Sequence, residues 1–552
     1  MHNFETGFEL DSLEANTKFC RTKKLMDTKK ARAQIFRQLD GIVTVPVVLS
    51  LYNKGVIDYL VQQKETDLDT LTQAFNANKG YLNVAIRVLA SQGFLVYELD
   101  NSLDKVNINV NDNTEDLLKY FDWYQMVVRL TKNFDVEDFM GDHAQEHHFI
   151  FDVLTAFLSK KRNVENPSAT EFQIMKQVEG FLMAPMIVKL GMSGMFHKYF
   201  MESSFSAEEF HKYPEVFKKI LDFFAEMDWF TKKNGHYQFT EQGLFFAKRA
   251  TAYGVTVSYL PIFLNLDELL FGKAALLRTE THSKDEIHVD RVMNVWGSGG
   301  AHATYFKVLD DFIIELFNQP LEKQPKGILD MGCGNGALLQ HLYETIERRT
   351  LRGKHLEEFP LFLVGADYNQ AALKITRANL IANDIWAKVV WGDIGNPDLL
   401  ATDLKENYNI ELSDLLNMRT FLDHNRVWQD PGDAKNIQTT STGAFAHRGQ
   451  WISNNKVALS LIQHFEKWKP YISKNGLFVI ELHTVDPKIT AENIGKTPAT
   501  AYDATHGFSD QYIVEIDVFQ KAAQAAGLVL DQKMFKKFPN TNYATVSINY
   551  LK

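Results

Sequence analysis

The residues best suited to hold a ligand are Leu329-Asp-Met-Gly-Cys-Gly-Asn-Gly-Ala337. They fall where an apolar, strand-like run, Lys326-Gly-Ile-Leu-Asp330, gives way to a helical one, Gly336 to Ile346. Gly332, Gly334 and Gly336 allow a tight turn and close approach of backbone to a ligand. A dinucleotide loop reads Gly-x-Gly-x-x-Gly. Here the third glycine comes one residue early, and Asp330 precedes the first. A carboxylate at a strand end, without phosphate-holding spacing, suits a cation. Two more acids end the next two strand-like runs, Asp367 in Val364-Gly-Ala-Asp-Tyr-Asn369 and Asp393 in Trp391-Gly-Asp-Ile394. Asp367 suits a pair of ribose hydroxyls, as such an acid does in dinucleotide sites. Asp393 suits an adenine amino group, with Tyr368 and Ile394 beside the two acids. Ammonium, sulfonium, ribose and adenine together describe S-adenosylmethionine.

Carboxylates at three successive strand ends need a sheet that presents those ends on one edge. The second half supplies it. Apolar runs at 361–365, 388–391, 414–418 and 476–481 alternate with helical runs at 369–382 and 455–468. That alternation predicts a mostly parallel, Rossmann-like sheet covered by helices on both faces. The end departs from it. Helix 517–526 leads into Leu528-Val-Leu-Asp-Gln-Lys533, and Tyr543 to Leu551 alternates, which predicts an antiparallel terminal hairpin.

The first half reads as mainly helical. A helical run from Ala31 to Leu60 is expected to break near Pro46 and Gly55. Short helix 67–75, helix 81–92 and strand-like runs 94–98 and 106–110 form a winged-helix pattern. The pattern recurs more weakly: Ser206 caps an acidic helix start, helix 214–228 follows, and two strands flank Asn234-Gly235. The most apolar window, 253–271, is interrupted by Asn265, Asp267 and Glu268, so it reads as buried helix and not a membrane span. Three regions result: 1–130, helical and winged-helix-like, for dimerisation or as a lid; 131–290, a second such region; and 291–552, the ligand-binding domain, with a polar lid-like insertion at 429–452.

Composition narrows the class. Of 552 residues, 45% are hydrophobic and 23% charged, which fits a folded globular chain. The net charge of −10, from 59 basic and 69 acidic residues, gives no chain-wide footprint for nucleic acid. Two cysteines, Cys20 and Cys333, make no disulfide framework and suit a reducing, cytoplasmic setting. The acidic N-terminus has no signal-peptide run.

The glycine loop and its three acids resemble those of class I S-adenosylmethionine-dependent methyltransferases. With a winged-helix-bearing first half, the chain is similar to small-molecule O-methyltransferases of the plant caffeate type. It resembles more closely the methyltransferases of polyketide synthase loading modules of the apratoxin type. That likeness is carried by Asn294-Val-Trp-Gly-Ser-Gly-Gly-Ala-His-Ala-Thr-Tyr-Phe306, Arg419-Thr-Phe-Leu-Asp-His-Asn-Arg426, Glu481-Leu-His483 and His506-Gly-Phe-Ser-Asp-Gln-Tyr512. The resemblance implies that His424, after the fourth strand, is a general base. Asp423 is positioned to orient it. His424 and His483, after neighbouring strands, and Gln511, in the next loop, form a candidate site for a mononuclear iron or manganese ion. Trp296, in a glycine-rich loop before the first strand, is expected to stack on the donor, with Tyr305 as the alternative. His447 and Arg448, in the insertion, are candidates for a substrate carboxylate or phosphate.

The reading is a methyltransferase acting at carbon on a small acyl or polyketide-type intermediate, free or linked to a carrier protein. The alternative is O-methylation of a phenolic or other small hydroxylated molecule, with His424 as base and no metal. A third reading, from another class, is a ligand-sensing, DNA-binding regulator. The first expects no nucleic acid and no membrane partner, and is compatible with a homodimer.

Overall fold

The computed structural model describes residues 26–130, 148–200, 204–275 and 286–552, without the side chains of 148 and 301–304. Cys20 and the His302 side chain lie outside that set.

Helix α1 (Thr28–Asn53) begins at an Asp27 cap and runs unbroken through Pro46. The expected break at that proline is therefore corrected: packing on both sides holds the helix. The chain does break at Gly55, in the left-handed region, before helix Val56–Gln63. α1 is long and apolar enough to cross a membrane, yet 83% of that stretch is buried inside the fold. It lies along a second long helix, which contains Gly41's backbone partner Gln177. A Cβ on Gly41 would stand 2.1 Å from the Gln177 carbonyl oxygen, and one on Gly180 would stand 2.2 Å from that of Gln38. Only glycine permits this backbone-to-backbone crossing.

The first winged helix forms as expected. Helix Leu68–Phe75 and helix α2 (Lys79–Ser91) precede a wing, Leu95–Asp100 and Lys105–Val110, whose sheet is completed by Glu65–Asp67. Every residue of α2 from Gly80 to Ser91 is buried, so the helix that would enter a DNA groove lies inside this molecule. Helix α3 (Ala169–Met192) is the partner of α1. Further on, helix Pro214–Glu226 and strands Phe230–Lys233 and His236–Phe239 form the second, smaller wing around Asn234-Gly235, both at positive φ. The Ser206 start makes one 3₁₀ turn, closed by a reciprocal box with Glu209. The apolar window breaks into three short helices, Thr251–Ser258, Leu260–Phe263 and Leu266–Phe271, in place of one. A single apolar core runs through both N-terminal regions, from Ala31 to Met293, and takes in Ala446, Ala501, Ala504 and Phe508 from the second half.

Helix α4 (Arg291–Phe317) leads into the second half. Its strands are β1 (Gly327–Met331), β2 (Phe362–Asp367), β3 (Lys388–Trp391), β4 (Leu415–Thr420), β5 (Leu477–Leu482), β6 (Lys536–Phe538) and β7 (Val546–Leu551). They form one sheet in the order β6-β7-β5-β4-β1-β2-β3. β1 to β5 are parallel, while β7 runs antiparallel to both β5 and β6. The order reverses between β1 and β4, and an open sheet binds its ligand at that switch, outside the carboxyl ends. The terminal hairpin has a different first strand from the one expected. Lys536–Phe538 pairs with β7, and Leu528 to Lys533 makes only the Leu530–Leu551 bridge. Helix α5 (Ala499–Gly507), which follows β5, bears on the site below.

Candidate active site

The glycine loop leaves β1 as a series of left-handed turns. Gly332, Gly334 and Gly336 have φ of 80°, 56° and 80°. Gly332 and Cys333 both donate to the Ala366 carbonyl, 2.7 and 3.1 Å away, which ties the loop to β2. A Cβ on Gly334 would meet nothing within 4 Å, so this glycine borders open space. Asp330 is the penultimate residue of β1, at 1% exposure, and its Oδ1 is buried without a hydrogen-bond partner. Burial, then the like charge of Asp367, pushes its carboxyl up to about 7. A buried, unpaired carboxylate beside an open glycine cradle fits an ammonium group.

Asp367 ends β2. Its Oδ2 accepts from the Gly334 N–H at 3.0 Å and its Oδ1 from the Asn369 N–H at 2.8 Å. These two bonds fix the carboxylate and leave lone pairs for ribose hydroxyls. Asp393, after β3, is half-buried and accepts from the Gly395 N–H at 2.8 Å. Tyr368 is 63% exposed with its ring 5.5 Å from Trp391, and Ile394 is buried. The structure therefore brings Asp330, Asp367 and Asp393 to one sheet edge, and S-adenosylmethionine fits the residues present there.

Trp296 does not join them. It lies within α4 and not in a loop, because residues 291–317 are continuously helical. Its ring packs against Gly191 and Gly254 of the N-terminal core, where an added Cβ would stand 2.9 and 3.1 Å from it. Stacking on the donor is thus corrected to helix packing. Gly299 of α4 does pass the loop: a Cβ there would stand 3.1 Å from the Asn335 side chain. Tyr305 meets Phe421 and Phe538 edge-on at 5.9 and 5.4 Å.

His424 follows β4 in a single turn, Asp423–Asn425, after Phe421 takes a φ of 54°. Such a conformation is strained for a bulky residue, and it turns the chain sharply at the sheet edge. His424 Nδ1 lies 2.6 Å from Glu481 Oε1, and the His424 N–H donates to Glu481 Oε2 at 3.3 Å. The Leu482 N–H also donates to Oε1, at 2.7 Å. Asp423 does not orient this imidazole. Its Oδ1 pairs with Arg419 at 2.5 Å and with His464 Nε2 at 2.9 Å, on the other side of the turn. Although burial pushes the Asp423 carboxyl up, Arg419 and His464 hold it well below the carboxylate range. The orienting acid is Glu481, which composition and spacing did not single out. A lone carboxylate in the apolar strand Leu477-Phe-Val-Ile-Glu-Leu482 was the available signal.

The expected metal set does not assemble. His483 Nδ1 bonds the Val514 carbonyl at 2.9 Å and Nε2 bonds the Ser547 hydroxyl at 2.6 Å, so neither nitrogen is available. Burial pulls this imidazole down to about 4. Gln511 donates to the Tyr259 hydroxyl at 3.1 Å. Among the described residues no group of three or more His, Cys, Asp or Glu side chains can hold a metal ion. These residues do not fit an ion. The neighbour of His424 is instead His506, their ring centroids 4.8 Å apart at 83°. His506 Nδ1 bonds the Tyr502 carbonyl at 2.6 Å, and burial, then His424, pull it down to about 3.

The insertion is an irregular segment ending in a hairpin, Phe445–His447 with Gln450–Ile452. It docks on this chain's own first winged helix: Asn101 donates to the Thr439 and Ser441 carbonyls, and the Gly80 N–H to that of Gly449. His447 and the Arg448 backbone face Asp510.

The chain matches family models for the AprA N-terminal domain over residues 31–97, the AprA winged helix domain over 179–273 and the AprA MT2-like domain over 286–549. No curated protein is significantly similar in sequence. Solved structures similar to it include the mitomycin 7-O-methyltransferase MmcR, at 11% identity, covering 70% of this chain and 98% of that one with a TM-score of 0.40. An O-methyltransferase family protein from Burkholderia thailandensis has 10% identity, 70% and 98% coverage and a TM-score of 0.36. The CurJ carbon methyltransferase has 12% identity, 82% and 99% coverage and a TM-score of 0.28. The three family matches follow one another in a single order over most of the chain, and the last of them contains the glycine loop and all three acids. The chain is an S-adenosylmethionine-dependent methyltransferase of class I fold, carrying AprA-type N-terminal, winged-helix and methyltransferase domains.

Proposed function

We propose that this enzyme methylates a carbon of a small acyl or polyketide-type intermediate, free or carried on a separate protein, with His424 as the base. The observation that carries the reading is the buried His424–Glu481 pair at the carboxyl ends of adjacent strands, next to the strand that carries Asp330 near its end. Glu481 holds the proton on Nδ1, which leaves Nε2 as an acceptor. A carbon next to a thioester carbonyl becomes a nucleophile only when its proton is removed, and Nε2 takes it. Asp330, Asp367 and Asp393 hold the donor, with Tyr368 and Ile394 beside the adenine. The donor supplies an electrophilic methyl group on a sulfonium. The methyl–sulfur bond breaks as the carbon–carbon bond forms, and no step runs through a metal.

The AprA-type domain order supports an acyl acceptor. The burial of α2 supports a packing role for the winged helix and not a role in reading DNA. A cytoplasmic setting and homodimerisation belong to the same proposal.

The test is an acyl N-acetylcysteamine thioester incubated in D₂O with trideuteromethyl S-adenosylmethionine. The expected result is exchange of the α-hydrogen and methylation at that carbon, both lost in His424→Ala. Methylation of hydroxylated acceptors, with no α-exchange on any thioester, would establish the O-methyl reading in its place.

A further inference from the structure

Arg87 sits in the middle of α2, in the first winged helix, at 2% exposure. Its Nε donates to the Thr442 carbonyl at 2.8 Å. Nη2 donates to the Thr484 hydroxyl at 3.0 Å and to the Val485 carbonyl at 2.7 Å, and Nη1 pairs with Asp503. All of these partners belong to the methyltransferase domain. Thr442 lies in the insertion. Thr484 and Val485 lie three and four residues after Glu481. Asp503 stands on α5, one turn before His506.

The rest of α5 is held by the same module. Thr500 accepts from Gln92 at 2.8 Å and donates to Ser91 at 3.0 Å. The Ala501 N–H, in the first turn of α5, donates to Asp40 of α1 at 3.3 Å. No side chain of its own caps that helix start, so Asp40 supplies the acceptor from another domain. Ala501, Ala504 and Phe508 lie in the N-terminal core, and a Cβ on Gly507 would stand 2.8 Å from Val84. α5 is thus part of the methyltransferase domain by sequence and part of the N-terminal module by packing. The imidazole it carries is the one set edge-on to His424.

We propose that Arg87 is a positioning residue for the acceptor site: through Asp503, Thr484 and Val485 it sets α5, and so His506, against His424 and the end of β5. A guanidinium suits this task because its planar fork serves several acceptors at once, where an ammonium makes a point contact. The proposal extends the reading of His424 as base, but its test does not depend on the acceptor.

The experiment uses the full chain with ¹⁵N-labelled histidine, and His506→Gln and His424→Gln to assign the ring signals. In Arg87→Lys the ring-nitrogen signals of His424 and His506 are expected to shift. The signal of His341, which is paired with Asp310 and not with this cluster, is expected to stay. Amide exchange across residues 499–507 is expected to accelerate about tenfold or more, with S-adenosylhomocysteine affinity unchanged. Removing one partner of a buried pair is strongly destabilising. If Arg87→Lys does not fold, the charge-neutral Arg87→Met/Asp503→Leu variant is read in the same way. Unmoved His424 and His506 signals in either folded variant would overturn the proposal and reduce Arg87 to a stabilising contact. Failure of the base assignment itself would show separately, as α-hydrogen exchange that survives His424→Ala.

Discussion

His424→Ala is expected to lower methyl transfer by about 10²–10⁴-fold, the range of a positioned general base, while S-adenosylhomocysteine binds as before. The second half of that statement follows from geometry. No donor acid depends on the imidazole, since Asp367 is held by the Gly334 and Asn369 backbone. Glu481→Gln is the sharper variant. It keeps the shape but offers Nδ1 an amide that can donate, which frees the ring to place its proton on Nε2. The expected loss in kcat is about 10²-fold or more, because an amide in place of an orienting carboxylate selects the wrong tautomer. Asp423→Asn acts differently. It breaks the pairing with Arg419 and His464 and leaves Arg419 buried without its carboxylate, so thermal stability falls. Steady-state kinetics and a melting curve on the three variants separate the roles. A His424→Ala enzyme with near-normal kcat would remove the base from the mechanism.

Donor affinity has its own large and separate signature. Charge-assisted hydrogen bonds are worth about 1.5–3 kcal/mol each, so Asp367→Ala is expected to weaken S-adenosylhomocysteine by about 10–100-fold or more. Asp330 adds a pH dependence. Its carboxyl in the free enzyme sits at about 7 because it is buried beside Asp367. Below that pH it is protonated, and it must release the proton before it can pair with an ammonium. Affinity therefore falls as pH drops below about 7, by up to about tenfold per unit, and levels off above it. Asp330→Asn binds more weakly and is flat over the same range. Calorimetric titrations between pH 5.5 and 7.5 read both effects. A wild-type affinity that is constant across that range would mean that Asp330 does not meet the ammonium.

The donor half of the proposed site is legible in the sequence because it is local. Gly332, Gly334, Gly336 and Asp330 lie within seven residues, and Asp367 and Asp393 each end an apolar run. Strand ends and a tight turn are short-range features, so sequence order predicts their place. The mostly parallel sheet and its antiparallel end followed from the same alternation of strands and helices, but the first strand of the terminal hairpin did not. The acceptor half was less legible because it is assembled from distant segments. Asp423 is adjacent to His424, yet Arg419 and His464 claim it, and the partner is Glu481, 57 positions away. His483 looked like a ligand because it ends a strand, but Val514 and Ser547 take both its nitrogens. Glycines misled in one place. Gly297, Gly299 and Gly300 read as a loop, but they sit in α4, where a missing Cβ lets the helix pass close to Gly254, Asn335 and Thr251. Pro46 misled for a related reason. Propensity disfavours proline within a helix, and close packing along α3 outweighs it here. The α5 helix was missed because its short, mixed sequence has no strong period of its own, and its packing surface lies on another domain.

The central claim is that donor and base meet at one sheet edge, with Asp330 at the donor's ammonium, Asp367 at its ribose and His424 on the methyl side. A structure of the complex with S-adenosylhomocysteine tests this most directly. The expected result places the amino group on Asp330 Oδ1, both ribose hydroxyls on Asp367, and the sulfur facing His424 with room for one acceptor group between them. A ligand bound with its ribose away from Asp367, or with its sulfur turned from His424 toward another side chain, would contradict it.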